Sequence, residues 1–286
     1  MTMNSGAITA SLFGCFLAMS AIAADTEPLP PAEIPARISP ATQGRHGFIV
    51  HQVECAFQGK TEIQVLLPNK IPARKRVPTL YLLPVEAGTN MVWGDPMQEA
   101  RKLDLANKLN VICVYPTFSH LPWYVDHPTD KSIQQETYFL KVVVPFIESH
   151  YPAKRERDGR LLLGFSKSGW GAWSLLLRHP DTFGRAAAWD APLALERGQY
   201  GLETIAGTQE NFEQYRIFTL LKKQADALGP KPRLALMGHG NFQNHTRQTH
   251  DLMRSLKIAH EFRDGPDRKH HWNSGWVIEG ATWLLK

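Results

Sequence analysis

Three cysteines in 286 residues are too few for a disulfide framework, and none stands at a cysteine or histidine spacing that would hold zinc. After the first two dozen positions no run approaches the ~20 apolar residues that a membrane span needs, so no later segment is expected to cross a bilayer. There is no internal repeat. Positive charge is thinly spread, with 32 Lys and Arg against 27 Asp and Glu. The one dense run, Arg74-Lys75-Arg76, sits between Pro72 and Pro78. A nucleic-acid face needs a broader basic stripe with interleaved aromatics, so no nucleic-acid partner is expected. A hydrophobic share of 43% and a charged share of 21% are those of a globular protein with a full core.

The chain opens with apolar or small residues from Ile8 to Ala24, ending on the small-x-small pattern Ala21-Ile22-Ala23. That pattern predicts a signal peptide over 1–24 and a secreted or periplasmic mature protein. Leu12-Phe13-Gly14-Cys15 is a poor lipobox because apolar sequence continues beyond Cys15, which makes a lipoprotein the second reading. Residues 25–43 are rich in Pro and Ala without periodicity and read as a linker, leaving 44–286 as one domain.

Within that domain strand and helix patterns alternate. Residues 46–57 and 61–67 read as two opening strands, and the apolar run 79–83 suits a strand buried on both faces. Helical spacing covers 96–109, 133–150 (with Pro145 inside), 169–178, 211–228, 246–256 and 274–285. Strands at 111–115, 160–163, 186–189, 233–237 and 260–262 fall between them. Such alternation predicts an α/β domain, a mostly parallel sheet with helices on both faces.

The segment Leu161-Leu162-Leu163-Gly164-Phe165-Ser166-Lys167-Ser168-Gly169 carries the chemistry. An apolar strand runs into a Gly/Ser-rich turn and then a helix, the setting of a nucleophile elbow in the α/β-hydrolase fold. Small residues two before and two after the serine, Gly164 and Ser168, let strand and helix converge. Ser166 is the expected nucleophile, and the Lys167 backbone N–H, at the helix start, an expected oxyanion donor. No Walker spacing follows Gly164, and no Ser-x-x-Lys accompanies Lys167-Ser168-Gly169, so phosphate-loop and penicillin-binding readings fall away. The base should lie in the loop after the last strand, where His270 and His271 are adjacent. The acid is harder to place. The stretch Gly238 to Asn244 holds no carboxylate, whereas the strand 186–189 ends directly in Asp190. Asp190 is therefore the expected acid, with the Asn241 side chain as the other possible orienter.

These residues resemble the esterase group that includes esterase D (S-formylglutathione hydrolase), feruloyl and acetylxylan esterases and mycobacterial mycolyltransferases. The likeness runs from about Thr61 to the C-terminus and rests on four segments: the elbow, the following His179-Pro180-Asp181-Thr182-Phe183, Glu136-Thr137-Tyr138, and Trp123-Tyr124-Val125-Asp126. The group writes its histidine as His-x-Trp, which here implies His270 ahead of Trp272. Its oxyanion loop is His-Gly or Gly-Gly; here Pro84-Val85-Glu86-Ala87-Gly88 stands in its place, implying the Glu86 backbone N–H as second donor. The expected function is a secreted serine ester hydrolase working through an acyl-enzyme without cofactor or metal. Small-molecule or carbohydrate esters are the expected substrates, with Trp123 and Tyr124, in a loop expected over the site, either stacking on a substrate ring or packing the loop. An acyltransferase on the same triad and a non-catalytic binding protein are the alternatives.

Overall fold

Ten strands form one sheet among the described residues of the computed structural model, which are 1–2 and 34–286. The expected export signal, with Cys15, falls largely on 3–33 and lies outside them. The strands are β1 (Arg37–Ile38), β2 (Thr42–Gln43), β3 (Ile49–Cys55), β4 (Gly59–Leu66), β5 (Thr79–Leu82), β6 (Ile112–Pro116), β7 (Arg160–Phe165), β8 (Arg185–Trp189), β9 (Leu234–His239) and β10 (His260–Asp267). The order is β1-β3-β4-β6-β5-β7-β8-β9-β10, with β2 also on β3. Pairings from β1 through β4 to β6 are antiparallel, and all from β6 to β10 are parallel. The mostly parallel sheet read from the alternation is the one that forms. The stretch read as linker is in part sheet, because Arg37–Ile38 and Thr42–Gln43 pair along β3.

Helices cover both faces: α1 (Pro96–Lys102), α2 (Leu105–Leu109), α3 (Gln135–Tyr138), α4 (Val144–His150), α5 (Ser166–Arg178), α6 (Leu202–Ala206), α7 (Gln209–Tyr215), α8 (Ile217–Gln224), α9 (Gln243–Ser255) and α10 (Trp276–Leu284). The period-two alternation of strand side chains divides the core. Leu80, Leu82, Leu161, Leu163 and Phe165 pack with Met97, Leu105 and Trp276. Tyr81, Leu83 and Leu162 pack with Trp170, Trp173 and Phe139 on the other face. Three alanines in β8, Ala186 to Ala188, let helices approach closely, and a Cβ on Gly169 of α5 would stand 2.8 Å from that of Ala191 and 3.1 Å from that of Ala188.

Two long helices divide where sequence spacing shows none. The helix over 96–109 breaks at Asp104, whose φ of 54° leaves the helical region. The one over 211–228 breaks at Arg216, whose ψ of 123° is extended. Pro145, lacking an N–H, is absorbed by a π-helical segment Phe139–Val143 just before it. The elbow helix begins at Ser166 itself. No helix among the described residues is long and apolar enough to cross a membrane.

Candidate active site

Parallel strands deliver their C-terminal ends to one edge, and the candidate residues gather there. Ser166 follows β7 directly, Asp190 follows β8, and His270 lies in the loop after β10. Ser166 has φ 52° and Asp190 φ 42°, both in the left-handed region that costs an L-residue roughly 1–2 kcal/mol. Such strain at a candidate site is held in place by its surroundings. A Cβ on Gly164 would strike the backbone of Ser168 and Gly169, which cannot yield. Ser168 contributes more than small size. Its buried hydroxyl accepts the Phe165 N–H at 3.1 Å and donates to the Phe165 carbonyl at 2.9 Å, fastening the turn.

Asp190 and His270 are joined. His270 Nδ1 donates to Asp190 Oδ2 at 2.5 Å, which leaves Nε2 as the free acceptor nitrogen. Asp190 is 1% exposed, and its other oxygen accepts the Phe242 N–H at 2.7 Å. Burial acts to raise its pKa, but hydrogen bonds from His270 and from the N–H groups of Asn241, Phe242 and Gly240 prevail and hold it below the usual carboxylate range. The same residue is tied to the nucleophile, for the Ser166 N–H donates to the Asp190 carbonyl at 3.0 Å. Ser166 is 6% exposed, and its Oγ is not hydrogen-bonded to His270.

The loop Gly238 to Phe242 lacks a carboxylate and instead supplies donors to one. A Cβ on Gly240 would meet Asp190 Oδ2 at 2.8 Å, so only glycine lets the backbone come this close. The Asn241 side chain is exposed, and its contribution to Asp190 is through the backbone. His271 turns away from Asp190: its Nδ1 accepts the Asn273 N–H at 3.1 Å and its ring packs over Gly94.

An aromatic cluster sets the position of the histidine loop. Phe165 and Trp189, the residues just before Ser166 and Asp190, stack with centroids 5.1 Å apart and planes at 10°. Trp272 meets both edge-on, at 5.2 and 5.3 Å, and Phe165 meets the His270 ring at 5.0 Å. The tryptophan of His-x-Trp thus anchors the loop beneath its histidine.

Trp123 and Tyr124 do not face the site, and the expectation that they stack on substrate is corrected. Both are fully buried. Trp123 packs edge-on against Trp170 at 5.5 Å. Tyr124 donates its hydroxyl to the Pro84 carbonyl at 2.8 Å, pinning one end of the loop 84–88, while the Gly88 N–H donates to the Phe118 carbonyl at 2.7 Å and pins the other. Between them the Glu86 N–H meets no acceptor among the described residues. The Lys167 N–H belongs to the first turn of α5, where helix geometry leaves donors over.

Two aromatics unnoticed in the sequence flank His270, and a third packs on one of them. Trp93, half-buried, meets its ring edge-on at 4.9 Å; Phe242 lies at 6.0 Å on another side; and Tyr200, 55% exposed, packs edge-on against Phe242 at 5.8 Å. Their signal was weak, since all three lie in loops outside any periodic segment. No cluster of three or more His, Cys, Asp or Glu able to hold a metal occurs among the described residues. Cys55 and Cys113 are free thiols, with burial pushing Cys113 up to about 12.

Residues 55–276 match the family model described as Putative esterase. Esterase Rv1288 and Esterase MT1326, from two strains of Mycobacterium tuberculosis, are each 29% identical over 150 residues, or 49% of this chain, which spans 31% of their length. Among solved structures, the fluorophosphonate-binding serine hydrolase FphF of Staphylococcus aureus, substrate bound, is similar with a TM-score of 0.68 and 20% identity, over 87% of this chain and 100% of that one. A ferulic acid esterase aligns with a TM-score of 0.63 and 22% identity, over 89% and 98%. These likenesses show the α/β-hydrolase fold.

Proposed function

The chain belongs to the esterase family whose model covers residues 55–276, and from that premise we propose that it is a serine carboxylic-ester hydrolase acting through an acyl-enzyme. The observation that carries this reading is the 2.5 Å bond from His270 Nδ1 to a buried, ionised Asp190, beside a serine held at positive φ.

In the proposed reaction Ser166 Oγ attacks the ester carbonyl carbon while His270 Nε2 takes the hydroxyl proton. Asp190 fixes the imidazole tautomer and stabilises the imidazolium that forms. Backbone N–H groups of Lys167 and Glu86 receive the developing oxyanion; one such donor is worth about 2.7–4 kcal/mol in the transition state. The imidazolium then gives its proton to the departing alkoxide. Water, giving its proton to the same nitrogen, attacks the acyl-serine; the imidazolium returns that proton to Ser166 Oγ as the Oγ–acyl bond breaks and the acid leaves. No step calls for a cofactor.

Trp93, Phe242 and Tyr200 suit a substrate with an aromatic or sugar ring on its acyl or alcohol side, which supports small aromatic esters and acylated carbohydrates as the class. The segment 1–24 supports action outside the cytoplasm. The test is fluorophosphonate labelling together with a panel of p-nitrophenyl and feruloyl esters. Wild type should be labelled and active, and Ser166→Ala neither. Unlabelled wild-type protein, or an active Ser166→Ala variant, would refute the reading.

A further inference from the structure

The loop 84–88 is where the sequence leaves the His-Gly or Gly-Gly pattern of the esterases it resembles, and the structure gives the departing residue a partner. The Glu86 carboxylate lies 3.0 Å from Lys167 Nζ, with both side chains largely buried at 19% and 14% exposed. The same oxygen, Oε1, accepts the Trp93 indole N–H at 3.0 Å. Trp93 in turn stands edge-on to the His270 ring, and its carbonyl accepts the Trp272 N–H at 2.9 Å. One carboxylate oxygen therefore joins three pieces of the site: the loop after β5, the first turn of the elbow helix, and the indole beside the base.

We infer that Glu86, through its side chain, is a positioning residue for the oxyanion hole, with Lys167 and Trp93 as its two anchors. The inference rests on the proposed reading of the Glu86 and Lys167 N–H groups as oxyanion donors. Its physical basis is the geometry of a two-donor hole. One donor rides on a helix whose place is set by β7. The other rides on a loop held at its ends by Tyr124 and Phe118 and, without a side-chain tie, free to turn at its middle. A glycine-containing loop can lay its backbone directly onto the neighbouring elements. Glu86 has a side chain to accommodate, and it uses that side chain as the tie. Lys167 also cancels the negative charge that a lone Glu86 would set beside a developing oxyanion, where it would oppose the reaction.

Two consequences distinguish this role from simple stabilisation. An oxyanion forms only in the transition state, so loosening the loop should lower kcat and leave KM nearly unchanged. Since full loss of a donor costs about 10²–10³-fold in kcat, a displaced donor should cost about 10- to 100-fold. The two charges should also act oppositely on the base. Glu86→Gln leaves the Lys167 ammonium uncompensated and should move the acid limb of the kcat/KM profile to lower pH. Lys167→Met leaves the Glu86 carboxylate uncompensated and should move it to higher pH, each by a few tenths of a unit. Asp190, Lys269 and His271 are the other ionisable groups bonded to His270 or next to it in the chain, and they are common to all variants.

The experiment compares wild type, Glu86→Gln, Lys167→Met, the double variant and the reversed pair Glu86→Lys/Lys167→Glu on p-nitrophenyl acetate, with pH profiles and thermal unfolding. Expected are a kcat-selective loss in each single variant, opposed pH shifts, and a double variant no worse than the poorer single one, since both remove one interaction. The reversed pair should recover part of kcat. Single variants within twofold of wild-type kcat, or losses that track Tm alone while the pH profiles stay fixed, would overturn the inference. Failure of the enzymatic reading itself shows elsewhere, as unlabelled wild type or active Ser166→Ala, so the two can be told apart.

Discussion

Asp190→Asn is the sharpest probe of the triad because the two carboxylate oxygens have different partners. Oδ1 accepts the Phe242 N–H at 2.7 Å and Oδ2 faces His270 Nδ1, while the Gly240 and Asn241 N–H groups also lie near the carboxylate. An amide must turn its NH2 toward one side. Toward the backbone it would set donor against donor, at roughly 1–3 kcal/mol for each buried group left unpaired. The NH2 therefore faces His270 and needs an unprotonated Nδ1, which moves the imidazole proton to Nε2. That nitrogen can then no longer take the proton of Ser166. The expected loss is about 10⁴-fold in kcat, or about 5.4 kcal/mol at 1.36 kcal/mol per tenfold, with KM little changed. Steady-state hydrolysis of p-nitrophenyl acetate measures it, and circular dichroism checks the fold. Asn241→Ala serves as control and should stay within about twofold, because that side chain is exposed. A folded Asp190→Asn enzyme retaining a tenth or more of wild-type kcat would refute the assignment and reduce Asp190 to a turn aspartate.

Other outcomes follow from the same contacts. Glu136→Ala should cost about 3–5 kcal/mol in urea unfolding, because it strips Arg178 (2.7 and 3.1 Å), His179 (2.6 Å) and the Tyr215 hydroxyl (3.0 Å) of one shared, buried carboxylate; a loss below 1 kcal/mol contradicts this. Trp272→Ala should cost about 3–5 kcal/mol and lower kcat at least tenfold at a temperature where the variant remains folded; unchanged turnover would show that the aromatic cluster does not position His270. Tyr124→Phe should lower kcat with KM unchanged, as befits a residue whose hydroxyl holds the Pro84 carbonyl; an unchanged kcat would show that this bond does not position the loop. Both Asp190 and Glu136 have depressed pKa values, with burial opposing the shift and hydrogen bonds outweighing it. Their stabilisation should therefore be complete above the ordinary carboxylate range near pH 4 and lost as pH falls through the folded-state values. Tm measured from pH 7 to pH 3 should drop below pH 4, and drop less in Glu136→Gln.

Much of the sheet was legible in advance because its signals are local. The apolar run 79–83 suits a strand buried on both faces, 160–163 reads as a strand, and the strand-to-helix turn at Ser166 needs no distant partner to be seen. Asp190, expected by elimination as the nearest carboxylate at a strand end, is the one that meets His270. What escaped depended on packing across the chain. Nothing within Trp123-Tyr124 tells that Gly171 leaves room for the Tyr124 ring, which a Cβ there would strike, or that the tyrosine hydroxyl reaches Pro84. The strands Arg37–Ile38 and Thr42–Gln43 are too short to show a period. The stretch Gly238 to Asn244 shows in the sequence only its lack of a carboxylate; its use, donating N–H groups to a carboxylate from a different strand, exists only in three dimensions.

The stacking of Phe165, Trp189 and Trp272 has an experimental use. Two of these three rings are indoles 5.3 Å apart and nearly perpendicular at 82°, and each lies within two positions of a residue assigned to the chemistry. Any event that shifts the acid or base, such as acylation, inhibitor binding or the first stage of heating, must disturb this pair. Near-ultraviolet dichroism and tryptophan emission then report on the integrity of the reacting groups themselves, and the machinery comes with a built-in optical gauge that needs no attached dye.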